Sequence, residues 1–147
     1  MRLFHKDLIT ALPRQQLLGQ WRECCLIAKQ IHMKGTPNHI LVNKIMDYPL
    51  NHFCYYGRLI ELEMTKRGYR VKGDKFDKWL RNENYAIPYP YPTYKELFAD
   101  WHNNRYLRQC YYNLQEKYDC GGINDDEWEI IQNTYTEIMV WILQNES

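Results

Sequence analysis

With 147 residues, 25% of them charged and a formal net charge of +1, the chain is long enough for one domain with its own core and too short for two. No run of roughly 18 apolar residues is present, so a spanning helix is excluded, and the start lacks the apolar stretch of a signal peptide. Five cysteines without a C-x-x-C pair and five dispersed histidines argue against a disulfide framework, a metal site or a cofactor held by either, and fit a cytoplasmic protein with reduced thiols. The near-neutral total hides an asymmetry. Residues 1–82 carry 15 Lys/Arg against 7 Asp/Glu, net +8, while residues 83–147 carry 4 against 11, net −7. The basic N-terminal part points to a polyanionic partner.

The pattern predicts helices in chain order and little strand. Pro13 suits a first helical turn, and Leu17, Leu18, Trp21, Cys25, Ala28 and Ile31 then recur at steps of three and four. "KGTPN" breaks that helix. "NHILVNKIMDYP" holds a short helix closed by Pro49. "LNHFCYYGRLIELEMTKRG" is a second long helix with Phe53, Tyr56, Ile60 and Met64 inward and Gly68 as its left-handed end. Residues 66–81 are the most basic stretch, with Tyr69, Phe76 and Trp79 interleaved. Two readings stand there, a phosphate-contacting surface and a solvated loop. The prolines at 88, 90 and 92 force "YAIPYPYPTY" to be extended, lining a site or crossing the surface of the core. Thr93 and Glu96 form a capping box that opens a helix with Leu97, Trp101, Leu107, Tyr111, Leu114 and Tyr118 on one side. After the "DCGGIND" turn comes an acidic helix bearing Trp128, Ile131, Tyr135, Ile138 and Ile142. The expected fold is all-α, a compact single-domain bundle over 1–147 with a long N-terminal helix and long irregular connections. Within it, residues 1–82 form the basic part and 93–147 an acidic helical pair.

On a helical wheel from Pro13, Gln15, Gly19, Arg22, Glu23 and Leu26 share one face. An amide, a guanidinium and a carboxylate thus follow in consecutive turns, with a glycine that lets a ligand approach the backbone.

"MRLFHKDLITALPRQQLLGQWRE" resembles the start of the phage-type pyrimidine-dimer DNA glycosylases, small all-α enzymes that remove a damaged base and nick the abasic strand. The matching positions are Arg2, Gln15, Leu17, Arg22 and Glu23. A second block, "NHFCYYGRLIELEMTKRGYRV", resembles the helix in that family that begins at His-x-x-aromatic-aromatic and ends in a Lys-Arg-Gly-aromatic turn. It carries over His52, Tyr55, Tyr56, Lys66, Arg67, Gly68 and Tyr69. His52 has a second reading, a helix-start histidine packed against its neighbours. The resemblance covers residues 1–80 and is loose beyond them.

The resemblance implies a mechanism without a metal or other cofactor. The first α-amine attacks C1′ of the damaged nucleotide, forms a Schiff base, and β-elimination breaks the strand. Met1 is then the nucleophile and Glu23 the essential carboxylate. Arg2, Gln15, Arg22, His52, Lys66 and Arg67 are the DNA-binding candidates. Arg2 is too large for removal of the initiator, so Met1 is expected to stay, deformylated. An α-amine ionises near 7.7–8.0, so a useful fraction is neutral at physiological pH. The expected partner is damaged double-stranded DNA, and the expected state a monomer. The alternatives are an inactive DNA-binding module of this fold and a helical protein-interaction domain. The sequence departs from the phage pattern in three places. The leader to the Arg-Glu pair is one residue longer. Leu26 stands where the phage form has a basic residue, with Lys29 beyond it. An acidic helix replaces the basic aromatic tail.

Overall fold

The structure is a computed structural model that describes residues 2–80 and 90–145. Among these residues every regular element is helical. The leader, residues 2–5, has no regular secondary structure and enters a 3-10 turn over Lys6–Ala11. Helix α1 spans Arg14–Lys34, with Pro13 as its N-cap, and ends at Gly35 in the left-handed region at φ 78°. A 3-10 turn at Asn43–Asp47 takes the place of the short helix expected there. Helix α2 spans Leu50–Lys66, and Gly68 beyond it sits at φ 83°. Helix α3 (Asp74–Leu80), α4 (Asn104–Asp119) and α5 (Asp125–Asn145) complete the set. Residues 81–89, with Pro88 of "YAIPYPYPTY", lie outside the described residues.

The periodicities become the core. Leu17, Ala28 and Ile31 of α1, and Phe53, Tyr56, Ile60 and Met64 of α2, are buried together. The α1 helix packs on both α2 and α3, while α5 packs on α4 and on the Lys6–Ala11 turn. Of the two sequence readings of the basic stretch 66–81, the solvated loop does not hold for residues 74–80. These form α3, and Phe76 is driven between Trp21 and Phe53 with ring centroids 5.8 and 5.3 Å away. Trp79 lies against His32 at 5.2 Å. These aromatics serve packing on α1 and α2.

Close approach of α2 and α3 depends on one glycine. A Cβ on Gly57 would lie 2.4 Å from the Phe76 ring. Gly57→Ala gains about 1 kcal/mol in helix propensity. It loses more to overpacking against a ring that is locked on two other aromatics. A net loss of about 2 kcal/mol in denaturant unfolding is expected; unchanged stability would mean that α3 can move away freely.

The helix expected from Thr93 is corrected. The capping box forms, with Thr93 N donating to Glu96 Oε1 at 3.1 Å and Glu96 N to Thr93 Oγ1 at 3.2 Å. The chain then makes turns through residue 101, with Phe98 and Asp100 at positive φ, and α4 starts anew from an Asn103 cap. The reason is tertiary. The buried Lys6 ammonium donates to the carbonyls of Tyr94 (2.6 Å) and Leu97 (2.8 Å). Phe98 meanwhile turns into an aromatic nest of Tyr48, His52, Tyr56, Trp101 and His102. Local capping cannot outweigh that burial.

Candidate active site

The leader has no regular secondary structure and, among the described residues, no strand to pair with. Its backbone groups must find other partners, because Leu3 and Phe4 beside them are buried. Side chains of three helices supply them. Arg2 N donates to Glu23 Oε2 at 3.0 Å. Gln20 Nε2 donates to the Arg2 carbonyl at 2.6 Å, and Gln20 Oε1 accepts from Phe4 N at 3.0 Å. Tyr56 Oη donates to the Phe4 carbonyl at 2.7 Å. Tyr106 Oη donates to the Leu3 carbonyl. His5 N reaches Cys110 Sγ at 3.4 Å. The start of the chain is therefore bolted onto α1, α2 and α4 by groups up to 105 positions away.

Histidines extend the anchor. His5 Nδ1 accepts from Asp7 N, so its Nε2–H donates to the His102 carbonyl at 3.0 Å. His102 Nδ1 accepts from Lys6 N at 3.0 Å. The two rings stack at 5.1 Å. Burial lowers the pKa of His5, with Asp7 opposing, and holds His102 well below the ordinary histidine range. Both are thus neutral and act as fixed hydrogen-bonding groups.

Beside this anchor lies a cleft of about 700 Å³. Arg2, Gln15, Gly19, Arg22 and Glu23 line it from the leader and α1, and Asn113 and Lys117 line it from α4. Glu23 is half-buried and Arg22 exposed. Among the described residues Arg22 has no hydrogen-bond or ion-pair partner, so its guanidinium faces the cleft uncommitted. A Cβ on Gly19 would meet only the Arg22 Nη2 atom, at 4.0 Å, which leaves the backbone open to the cleft. Lys117 Nζ stands 5.7 Å over the Phe4 ring. The Arg2 guanidinium lies beside Tyr106 and Cys110. Burial pushes that phenol and that thiol up, and Arg2 pulls against it. Three cations and one carboxylate in one cleft give a positive field with a single negative group set against the first peptide bond.

Of the residues singled out in the sequence, the structure brings Arg2, Gln15, Arg22 and Glu23 together and sets the others elsewhere. Met1 lies outside the described residues. His52 stacks on Phe98 and its Nδ1 accepts from Phe98 N at 3.2 Å, holding the 94–101 turn. Arg67 donates to the carbonyls of Leu12 (2.7 Å) and Thr10 (3.0 Å) and lies 3.8 Å from Glu63. Lys66 is exposed at a small groove of about 230 Å³ shared with Lys6, Glu63 and Tyr94. Leu26 is exposed outside the cleft lining, and no residue of the acidic α5 belongs to that lining. Sequence reasoning missed Gln20, Asn113 and Lys117. Gln20 sits one turn before Glu23, and its near-complete burial was the missing signal; the α4 pair carries no local signal at all. Among the described residues no group of His, Cys, Asp and Glu could hold a metal ion, and no helix is long and apolar enough to cross a membrane.

Among the described residues the protein is thus an all-helical one whose N-terminal segment is held against a carboxylate in a cleft lined by cations. The family model for pyrimidine dimer DNA glycosylase matches residues 1–77, the stretch that holds the leader, α1, α2 and Glu23. The chain belongs to that family, the DNA-repair glycosylases of pyrimidine dimers. No curated protein and no solved structure matches it.

Proposed function

We propose that the protein is a DNA glycosylase with abasic-site lyase activity, working through an imine on its first amino group. The observation that carries this reading is the hydrogen bond from Arg2 N to Glu23 Oε2. Three bonds separate the first amino nitrogen from that amide, so whatever fixes the amide also tethers the amine beside Glu23. The neutral amine attacks C1′, and the bond from C1′ to the base breaks with its electron pair going to the base, which is protonated as it leaves. Opening of the C1′–O4′ bond gives the iminium. Loss of a C2′ proton then expels the 3′ phosphate by cleavage of C3′–O3′. Glu23 stabilises the cationic sugar and iminium and relays the protons. Arg2, Arg22 and Lys117 hold phosphates around the lesion, and Gln15 contacts the nucleotide at the cleft edge. Chemistry at C1′ inside a duplex requires distortion of the DNA and a nucleotide drawn out of the stack.

Borohydride reduction during incubation with UV-irradiated or abasic duplex DNA tests the proposal. The expected result is a covalent protein–DNA adduct that maps to the first residue. Salt-sensitive DNA binding without adduct or nicking would instead make the chain an inactive DNA-binding module.

A further inference from the structure

We infer that Gln20 and Tyr56 are positioning residues for this reaction, a clamp that sets the leader in register so that the first amine meets Glu23. The inference rests on the imine reading above. In an extended chain the carbonyl of one residue and the amide of the second residue onward point to the same side. Gln20 spans that pair, donating from Nε2 to the Arg2 carbonyl at 2.6 Å and accepting at Oε1 from Phe4 N at 3.0 Å. One side-chain amide thus does what a neighbouring strand's backbone would do. It fixes both the rotation and the register of residues 2–4. These two bonds also settle the amide's orientation, because the reversed form would set oxygen against the Arg2 carbonyl.

Tyr56 locks the clamp from the opposite helix. Its hydroxyl lies 2.7 Å from the Phe4 carbonyl and 2.9 Å from Gln20 Oε1, both acceptors, so its one proton is shared between the leader and the clamp. Gln20 is 2% exposed and Tyr56 is fully buried. Neither can exchange these partners for water at low cost. The clamp grips residues 2 and 4 while Glu23, one turn along the same helix, grips the Arg2 amide. A slip by one residue would break all of these bonds at once.

The consequence is a division of labour on α1. Glu23 and Arg22 face the cleft, and Gln20 works behind the leader on the reacting geometry, touching no substrate. Loss of register by about 1 Å costs on the order of 10²-fold in a positioned reaction.

The test measures the single-turnover rate of borohydride-trappable adduct at saturating abasic duplex. Affinity for a duplex carrying a tetrahydrofuran abasic analogue, which cannot form an imine, is measured beside it. Gln20→Met should lower the trapping rate by roughly 10²-fold with analogue affinity and helical content unchanged. Tyr56→Phe should lower it by up to about tenfold. Gln20→Glu carries a signature that a purely structural role would lack. A buried carboxyl titrates above its ordinary range. Its acid form has one O–H to give to the Arg2 carbonyl and an oxygen to accept from Phe4 N, so the clamp is rebuilt. Its ionised form sets an acceptor against a carbonyl. Trapping by this variant should therefore approach the wild-type rate at low pH and fall as pH rises through that pKa, a descending limb the wild type does not have. Rates within twofold of wild type for Gln20→Met overturn the positioning role, as does a loss confined to analogue affinity. If Gln20→Met does not fold, Tyr56→Phe and Gln20→Glu decide, and wild-type rates for both across the pH range overturn the role. Wild-type protein that forms no adduct overturns the imine reading itself, and the positioning role with it; adduct in the wild type together with indifferent variants overturns the clamp alone.

Discussion

Glu23→Gln is expected to keep the protein folded and DNA-bound while lowering abasic-strand cleavage by about 10²–10⁴-fold. The substitution is close to isosteric, and a glutamine oxygen still accepts from Arg2 N, where Glu23 Oε2 now accepts at 3.0 Å. The leader therefore keeps its anchor. What disappears is the negative charge set against the developing sugar cation, and the ability to take and return a proton. Both effects fall on the chemical step. Affinity for duplex DNA should hold or rise slightly, because a carboxylate in a cleft lined by Arg2, Arg22 and Lys117 repels phosphate. The check is single-turnover nicking of abasic duplex beside a binding titration on the tetrahydrofuran analogue. Cleavage within tenfold of wild type would take Glu23 out of the chemistry and leave it as a structural partner of the Arg2 amide.

Extending the chain ahead of Met1 should abolish adduct formation altogether. An added residue converts the first amine into an amide, whose nitrogen has no basic lone pair, so no imine can form. DNA binding should change by no more than a few-fold, since Arg22 and Lys117 are untouched. Proteolytic removal of the extension should restore trapping. The outcome that would sink the reading is an extended protein that still traps. Lys117 is then the nucleophile to examine, as the lysine that lines the cleft. The Lys6 ammonium is already taken by the carbonyls of Tyr94 and Leu97, and burial lowers its pKa.

The helices were legible to different degrees, for identifiable reasons. Residues 50–66 read as a helix and are one, because Phe53, Tyr56, Ile60 and Met64 fall at helical spacing on a buried face. The 93–103 stretch read as a helix start and is not one. Its capping box is a local signal, whereas the Lys6 ammonium and the aromatic nest around Phe98 arrive from distant parts of the chain. The basic 66–81 run read as surface, yet Phe76 is buried. Charge density masked an amphipathic turn whose apolar side meets α1 and α2.

By itself the sequence determined the all-helical architecture, the family, and the shared face of Gln15, Arg22 and Glu23 on α1, since periodicity and motif depend only on near neighbours along the chain. Tertiary structure alone decided that the leader lies against Glu23, that Lys117 and Asn113 line the cleft from α4, and that His52 and Arg67 hydrogen-bond to the backbone of distant segments. A leader without regular secondary structure must satisfy its backbone somewhere, and the groups that do so (Gln20, Tyr56, Tyr106, Cys110) come from three helices. No local pattern records where a folded chain will bring such groups together.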